Sequence, residues 1–125
     1  MAKSAVLQAA TTIAKTTETV VGTIIDTGHF DYLTLFLVYV NGDETGVNVY
    51  PYLMPLSTGT ETQLTDWDTT SGVYTHTAQV INFTANATVS VTIDVRGIRF
   101  AKIYQGGSAN DGTPTGTLAV SYTVK

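Results

Sequence analysis

The sequence predicts an all-β chain, a two-sheet antiparallel β-sandwich of jelly-roll type with about seven or eight strands. Apolar and polar residues alternate with a period of two along most of the chain, as they do in half-buried strands. Threonine, whose branched side chain suits the solvated face of a sheet, occurs 24 times. Short strands separated by turn residues at near-regular spacing are typical of a sandwich or a barrel. An immunoglobulin-like sandwich is the alternative, although its characteristic Cys and Trp positions are missing.

The alternation and the turns between strands place the individual elements. The clearest strand is Thr88–Val95, in which every second residue is valine or isoleucine. Residues 1–19 are only weakly patterned and are predicted to form an extended N-terminal arm or a first strand, while residues 20–125 form the sandwich. The other strands predicted in the sandwich are Val20–Asp26, Tyr32–Val40, Val47–Met54, Thr77–Thr84, Ile98–Tyr104 and Thr117–Val124.

Three segments depart from simple alternation: the weakly patterned residues 1–19, the strand Tyr32–Val40, and Val47–Met54 with the proline after it. Val47–Met54 contains Pro51 and is followed by Pro55. Because proline cannot donate a hydrogen bond to a ladder, this strand is expected to lie at a sheet edge or to carry a bulge. Thr60–Val73 shows no clear pattern and is interpreted as a long loop that carries Trp67.

The strand Tyr32–Val40 is apolar on both of its faces. Leu33, Leu35, Leu37 and Tyr39 point to one side, and the side chains between them include phenylalanine and valine. Because the outer face of a small antiparallel sandwich is normally solvated, this pattern leaves two alternatives. Either another segment of the chain covers the strand, or its outer face meets another subunit.

The N-terminal segment has few means of folding alone, because its apolar residues stand among small and polar ones. A segment that becomes ordered on a partner gains backbone pairing and burial there. The sequence therefore suggests contacts with other subunits through this segment and through the strand that is apolar on both faces. The candidate protein-interface residues are Val6, Leu7, Ile13, Leu35, Leu37 and Tyr39.

Charge and cysteine content exclude several classes of function. The formal net charge is −4, and the six Lys and Arg residues are scattered, so no basic stripe is available for nucleic acid. The chain has no cysteine and begins without the apolar core of a signal peptide, so assembly in a reducing cytoplasm is expected. The longest apolar run, Tyr32–Val40, is too short to span a bilayer, and no membrane association is expected.

The sequence offers little that could carry out catalysis or bind a metal. His29 and His76 are far apart and have no partner at ligand spacing, so neither a metal nor a cofactor is expected. No nucleophile elbow or marked pair of carboxylates is present, and the chain is expected not to be an enzyme. Trp67 lies between Asp66 and Asp68, and this trio is the best candidate for a surface on which a sugar could stack.

Several segments, spread over about residues 20–124, resemble small structural proteins of tailed-bacteriophage virions in their style of strand and turn. These segments are Ile25-Asp-Thr-Gly28, Tyr32–Tyr39, Asn41–Gly46, Phe83-Thr-Ala85 and Pro114-Thr-Gly-Thr117. The resemblance implies a non-enzymatic virion protein with a β-sandwich fold, assembled in the host cytoplasm. That class includes capsid decoration proteins, head–tail connection proteins and fibre or baseplate modules. The leading hypothesis is a capsid-associated or decoration protein that binds the major capsid protein, neighbouring structural proteins or copies of itself as a homo-oligomer.

A carbohydrate- or receptor-binding β-sandwich module of a phage fibre, a baseplate or a cell-surface assembly is the alternative. It would use Trp67 and nearby tyrosines as a stacking platform. The surroundings of Trp67 discriminate between the two hypotheses, because a ring that stacks on a sugar must lie flat and exposed.

Overall fold

The chain folds into strands joined by turns. The computed structural model describes residues 2–13, 19–54, 61–63, 65–68, 75–78, 80–107 and 113–125, and for 62–63, 65–68 and 75–78 it describes the main chain. Within these ranges there is no helix. The strands are β1 (Lys3–Thr12), β2 (Thr19–Asp26), β3 (Tyr32–Val40), β4 (Val47–Met54), β5 (Thr62–Gln63), β6 (Thr65–Asp68), β7 (Thr75–Ala78), β8 (Ile81–Phe83), β9 (Ala87–Asp94), β10 (Phe100–Gly107) and β11 (Thr117–Val124).

Two antiparallel sheets contain most of these strands. Sheet A has the order β1-β11-β3-β9, and sheet B has the order β2-β10-β4, with β8 and β5 pairing with different halves of β4. Strands β6 and β7 form a separate two-stranded hairpin. If the short strands β5, β6 and β7 are set aside, eight strands remain. Along the chain, these strands mostly alternate between sheet A and sheet B. This is the arrangement of a jelly roll, and the predicted fold class is confirmed.

The core lies between sheets A and B and is made by alternate residues of the strands. Strand β3 shows the alternation most clearly, since its odd-numbered residues from Leu33 to Tyr39 are buried and its even-numbered ones are not. Sheet B also contributes alternate residues to the core, among them Val47, Val49 and Ile103, none of which is exposed. The period of two in the sequence therefore corresponds to the two faces of each sheet.

A buried carboxylate joins two loops at one end of the sandwich. Glu44, in the turn after β3, accepts hydrogen bonds from the backbone amides of Gly42 (2.7 Å), Thr115 (3.1 Å) and Gly116 (2.6 Å). The hydroxyl of Tyr39 donates a fourth bond of 2.6 Å. Burial acts to raise the pKa of Glu44, but the Tyr39 hydrogen bond and the backbone bonds outweigh it and lower the pKa. The ionised side chain thus holds the segment after β3 against the segment before β11.

Residues 1–19 contain an integral strand of sheet A. Strand β1 pairs with β11 from Lys3 to Thr12, with two irregularities in register, and Ile13 beyond it is buried. Leu7 packs against the core, and a Cβ atom on Gly22 would clash with the Leu7 carbonyl oxygen. Gly22 also has a φ of +67°, which glycine adopts without strain. Of the two alternatives for this segment, the first strand is therefore observed, and the domain boundary at residue 20 stays a prediction.

Three other elements differ from expectation in detail. The segment Thr77–Thr84, predicted as one strand, contains the end of β7 and the whole of β8, which belong to different sheets. The segment interpreted as a loop, Thr60–Val73, contains β5 and β6. Strand β4 was expected at an edge or with a bulge, and it lies beside β10 along its whole length. On its other flank, Pro51 falls between the residues paired with β8 and those paired with β5, so no described strand lies opposite it there. The proline thus occupies the gap in that ladder, where no N–H donor is required.

Candidate functional site

The outer face of sheet A carries most of the exposed large apolar side chains among the described residues. Because β3 alternates, the residues between its buried leucines point away from sheet B. Their exposed fractions are 42% for Phe36, 41% for Val38 and 49% for Val40. The described part of the chain has six exposed large apolar side chains, and five lie on this face. We call these five the outer patch: Val6, Tyr32, Phe36, Val38 and Val40.

Strand register turns the outer patch into a ridge beside a groove. Phe36 is opposite Ser121 on β11, and Val38 is opposite Ala119. The large side chains of β3 therefore stand next to small ones on β11, and Val6 of β1 rises on the far side, opposite Ser121. The depression between β3 and β1 is an apolar groove of about 290 Å³, lined by Val6, Gln8, Ala9, Phe36, Val38, Ala119, Val120 and Ser121.

Polar but uncharged side chains border the ridge. On β9, Ser90 is opposite Phe36 and Thr88 is opposite Val38. A further row of hydroxyls crosses the sheet, where Thr34 and Thr92 lie 3.0 Å apart and Ser4 and Thr123 lie 2.7 Å apart. Hydroxyls that hydrogen-bond to each other across strands can be covered by a partner at small cost. The centre of this face is therefore apolar, and the side chains registered beside it on β9 and β11 carry no charge.

A charged pair lies at one end of the outer patch. Asp94, at the end of β9, accepts a 3.0 Å hydrogen bond from Nε of Arg96. Hydrogen bonds from Arg96 hold the pKa of Asp94 at about 2. The same guanidinium lies 5.8 Å from the centroid of the Tyr32 ring. The Arg96 guanidinium thus covers part of the Tyr32 ring. The other exposed apolar residues of β3 are Phe36, Val38 and Val40.

The outer face of sheet B has a different chemistry. Glu61 accepts a 2.9 Å bond from Nζ of Lys102 and a 2.6 Å bond from the Tyr104 hydroxyl. The hydrogen bond from Tyr104, followed by that from Lys102, lowers the pKa of Glu61. The Tyr52 ring meets the Tyr104 ring edge to face, with centroids 4.9 Å apart. Glu61, Lys102 and Tyr104 thus hydrogen-bond to one another within the chain, and these bonds stabilise this face of the sandwich.

The structure brings only one of the candidate interface residues to the outer patch. Val6 is 72% exposed, whereas Leu35, Leu37 and Tyr39 lie in the core with exposures of 0%, 0% and 1%. The assignment of these three residues to an interface is corrected, because their side chains point towards sheet B. Ile13 is also buried, and Leu7 is half-buried against the core.

The residues that the assignment missed are Phe36 and Val38. They were visible in the sequence as the second apolar face of the strand. The sequence alone did not show which of the two apolar faces packs against sheet B, because that depends on where sheet B lies in the fold.

The remaining candidates concern ligands. Trp67, Asp66 and Asp68 belong to β6, where Trp67 is opposite His76 of β7, and their side chains lie outside the described residues. Among the described residues, no group of three or more His, Asp or Glu side chains could hold a metal ion. In the same ranges, no helix has the length and hydrophobicity needed to cross a membrane.

The fold is similar to part of longer chains in solved structures of a virus and of a subviral particle. No protein-family model and no curated protein sequence matches the chain. A structure of the Gx strain of infectious bursal disease virus matches 99% of the chain with a TM-score of 0.55 at 12% identity. The VP2 subviral particle of the same virus matches 99% with a TM-score of 0.56 at 11% identity. The chain spans 31% and 32% of those two chains, and at such identities the similarity shows the fold alone.

Proposed function

We propose that this chain is a structural subunit of a virus particle and that it binds neighbouring subunits through the outer face of sheet A. The observation that carries the proposal is the outer patch, which gathers five of the six exposed large apolar side chains of the described residues on one face, with a charged pair at one end of it. The similarity of the jelly roll to part of the chains in the virus structures above supports the same role.

The physical argument starts from the cost of exposed apolar surface. Contiguous exposed apolar patches on soluble proteins mark sites of interaction, whereas single exposed residues are ordinary. Burial of apolar surface stabilises a contact by about 25 cal/mol per Å² removed from water. Phe36, Val38 and Val40 stand on successive outward positions of one strand, so a flat partner surface can cover all three together.

A more specific role follows from the resemblance of the sequence to tailed-phage virion proteins. We place the chain in the capsid shell of a tailed bacteriophage, as a decoration protein that binds without catalysing a reaction. The sequence supports this role through its low charge and its lack of cysteine. A protein that coats a repeated surface needs a rigid domain and a contact face, and the jelly roll with its outer patch supplies both.

The test is to look for the chain in particles. Virus particles from cells that produce this chain are purified on a density gradient and digested, and their peptides are quantified against those of the major capsid protein. The proposal expects peptides of this chain in the particle fraction at a fixed ratio to the capsid protein. A chain found only in the soluble fraction would overturn the proposal. A matched sample from cells that produce the Phe36→Lys variant tests whether the outer patch is required for incorporation.

A further inference from the structure

We propose that the outer patch packs face to face against the same patch of a second copy of this chain. The two copies are related by a two-fold axis that lies in the interface and runs along the strands, between β11 and β3. This inference rests on the proposed function and names the neighbour that covers sheet A. In this arrangement Phe36 and Val38 of each copy enter the groove above Ala119 and Ser121 of the other.

The geometry follows from strand order and register. A rotation about an axis parallel to the strands reverses the order of the strands across the face and keeps each residue at the same height along them. With the axis between β11 and β3, the β3 of one copy lies over the β11 of the other. Because Phe36 is opposite Ser121 and Val38 is opposite Ala119 within one sheet, each large residue then lies over a small one.

This self-complementarity favours a second copy over an unrelated partner. A two-fold contact needs the same surface to supply both the projecting and the receiving part. Sheet A does so on adjacent strands, since β3 carries the ridge and β11 forms the floor of the groove. An axis perpendicular to the strands would instead place β3 on β3, so that the two ridges would collide. The large and small residues therefore favour an axis along the strands over one perpendicular to them.

Charge also permits this pairing. Each copy has a formal net charge of −4, so two copies repel each other wherever their acidic residues face one another. The residues registered with Phe36 and Val38 are Ser90, Thr88, Ser121 and Ala119, and none of them is charged. Facing copies therefore bury neither an unpaired charge nor two like charges at the centre of the contact.

The size of the face sets the strength of the contact. Four strands about 4.8 Å apart and nine residues with a rise of about 3.3 Å give a face of roughly 600 Å². A stable interface of standard size buries about 800 Å² on each partner. The outer face of sheet A is somewhat smaller, so the pair is expected to be weak and to depend on concentration. Weak contacts of this kind become effective where many copies are held on one shell.

The experiment is a charge swap followed by analytical ultracentrifugation. Phe36→Lys places a charge on the ridge, and Ser121→Glu places one in the groove. The wild-type chain should form dimers as its concentration rises, and each variant alone should associate at least about tenfold more weakly, since it buries unpaired charges. In an equimolar mixture the two variants should associate again. One contact then pairs lysine with glutamate, and the other keeps wild-type Phe36 in a wild-type groove.

Controls separate folding from association. Val80→Lys changes the sixth exposed large apolar residue, which lies off sheet A, and should leave the dimer unchanged. Thermal melting of each variant shows whether it is folded, and Phe36→Thr is a second ridge variant that retains a strand-forming residue. A wild-type chain that stays monomeric at every concentration would overturn the inference. Folded variants that fail to associate when mixed would also overturn it.

The outcome also distinguishes the inference from the proposed function. If the chain is present in purified particles but the charge swap fails in solution, sheet A faces another virion protein, and only the two-fold contact is wrong. If the swap restores the dimer but the chain is absent from particles, the two-fold contact stands and the virion role is wrong.

Discussion

The two faces of β3 are almost equally apolar in sequence but have opposite environments. On the inner face, Leu35 and Leu37 are not exposed at all, while Phe36 and Val38 beside them are 42% and 41% exposed. The inner residues meet sheet B, and no other layer of the described chain lies on the outer ones. Hydrophobicity alone therefore does not identify the core. The residues that the fold requires and those available for binding alternate along a single strand.

The largest difference between the two faces is expected from cavity-forming substitutions. Leu37→Ala should lower the free energy of unfolding by about 2–5 kcal/mol, because it removes buried methyl groups and leaves a void between the sheets. Urea denaturation of the wild type and the variant measures this loss. Val38→Ala, one residue further along, is the matched control and should cost far less, since Val38 is 41% exposed. Equal losses at the two positions would contradict the assignment of the faces.

Much of the fold could be predicted from the sequence, because strand alternation is a local signal. The predicted strand Tyr32–Val40 coincides with β3, and the predicted Val47–Met54 coincides with β4. Thr88–Val95 differs from β9 by one residue at each end. Such agreement is expected where period-two alternation runs along a strand and turn residues mark its ends.

The candidate interface residues predicted on β3 lie on its buried face, and the exposed apolar residues lie on the other face. Leu33 to Tyr39 and Phe36 to Val40 are both apolar series, and a local pattern cannot show which of the two meets sheet B. That information depends on the packing of segments far apart in sequence, such as β4 and β10 with β3. The same limit applied to β1, whose pairing with β11 joins the two ends of the chain. Its weak alternation allowed an arm as readily as a strand.

The next largest effect is expected at the end of the inner face, where Tyr39 meets Glu44. Glu44→Gln should cost about 1–3 kcal/mol near neutral pH, because charge-assisted hydrogen bonds are lost. All four partners of the carboxylate are donors, so the amide group of glutamine would face N–H or O–H groups with its own donors. Urea unfolding at neutral pH measures the cost.

The effect of Glu44→Gln should also depend on pH. The pKa of Glu44 is lowered in the folded chain, so ionised Glu44 stabilises the fold fully above its ordinary pKa of about 4.3. That contribution is lost as the pH falls through the lowered value. The difference between the wild type and Glu44→Gln should therefore shrink from neutral pH towards strong acid. A difference that stays constant over this range would show that the charge of Glu44 contributes nothing.

A smaller effect is expected from Tyr39→Phe, which keeps the buried ring and removes its hydroxyl. The loss of one hydrogen bond to a buried carboxylate should cost about 1 kcal/mol. Because the Tyr39 bond is the strongest of those that lower the pKa of Glu44, the acid loss of stability should begin at a higher pH in this variant. Unfolding curves at several pH values measure both changes. If stability were lost at the same acidic pH in the variant as in the wild type, the backbone amides alone would hold the Glu44 carboxylate ionised.

The smallest effect on the fold is expected on the outer face, from Phe36→Thr. Phe36 is 42% exposed and threonine suits a strand, so the free energy of unfolding should change by about 0.5 kcal/mol or less in dilute solution. The difference should grow with protein concentration, because association stabilises only the chain that can dimerise, and the gain follows mass action. Thermal melting over a wide range of concentrations measures this dependence, and Val80→Thr is the matched control with no such dependence. If Phe36→Thr destabilised the dilute chain by several kcal/mol, Phe36 would support the fold itself, and the contrast between the two faces of β3 would fail.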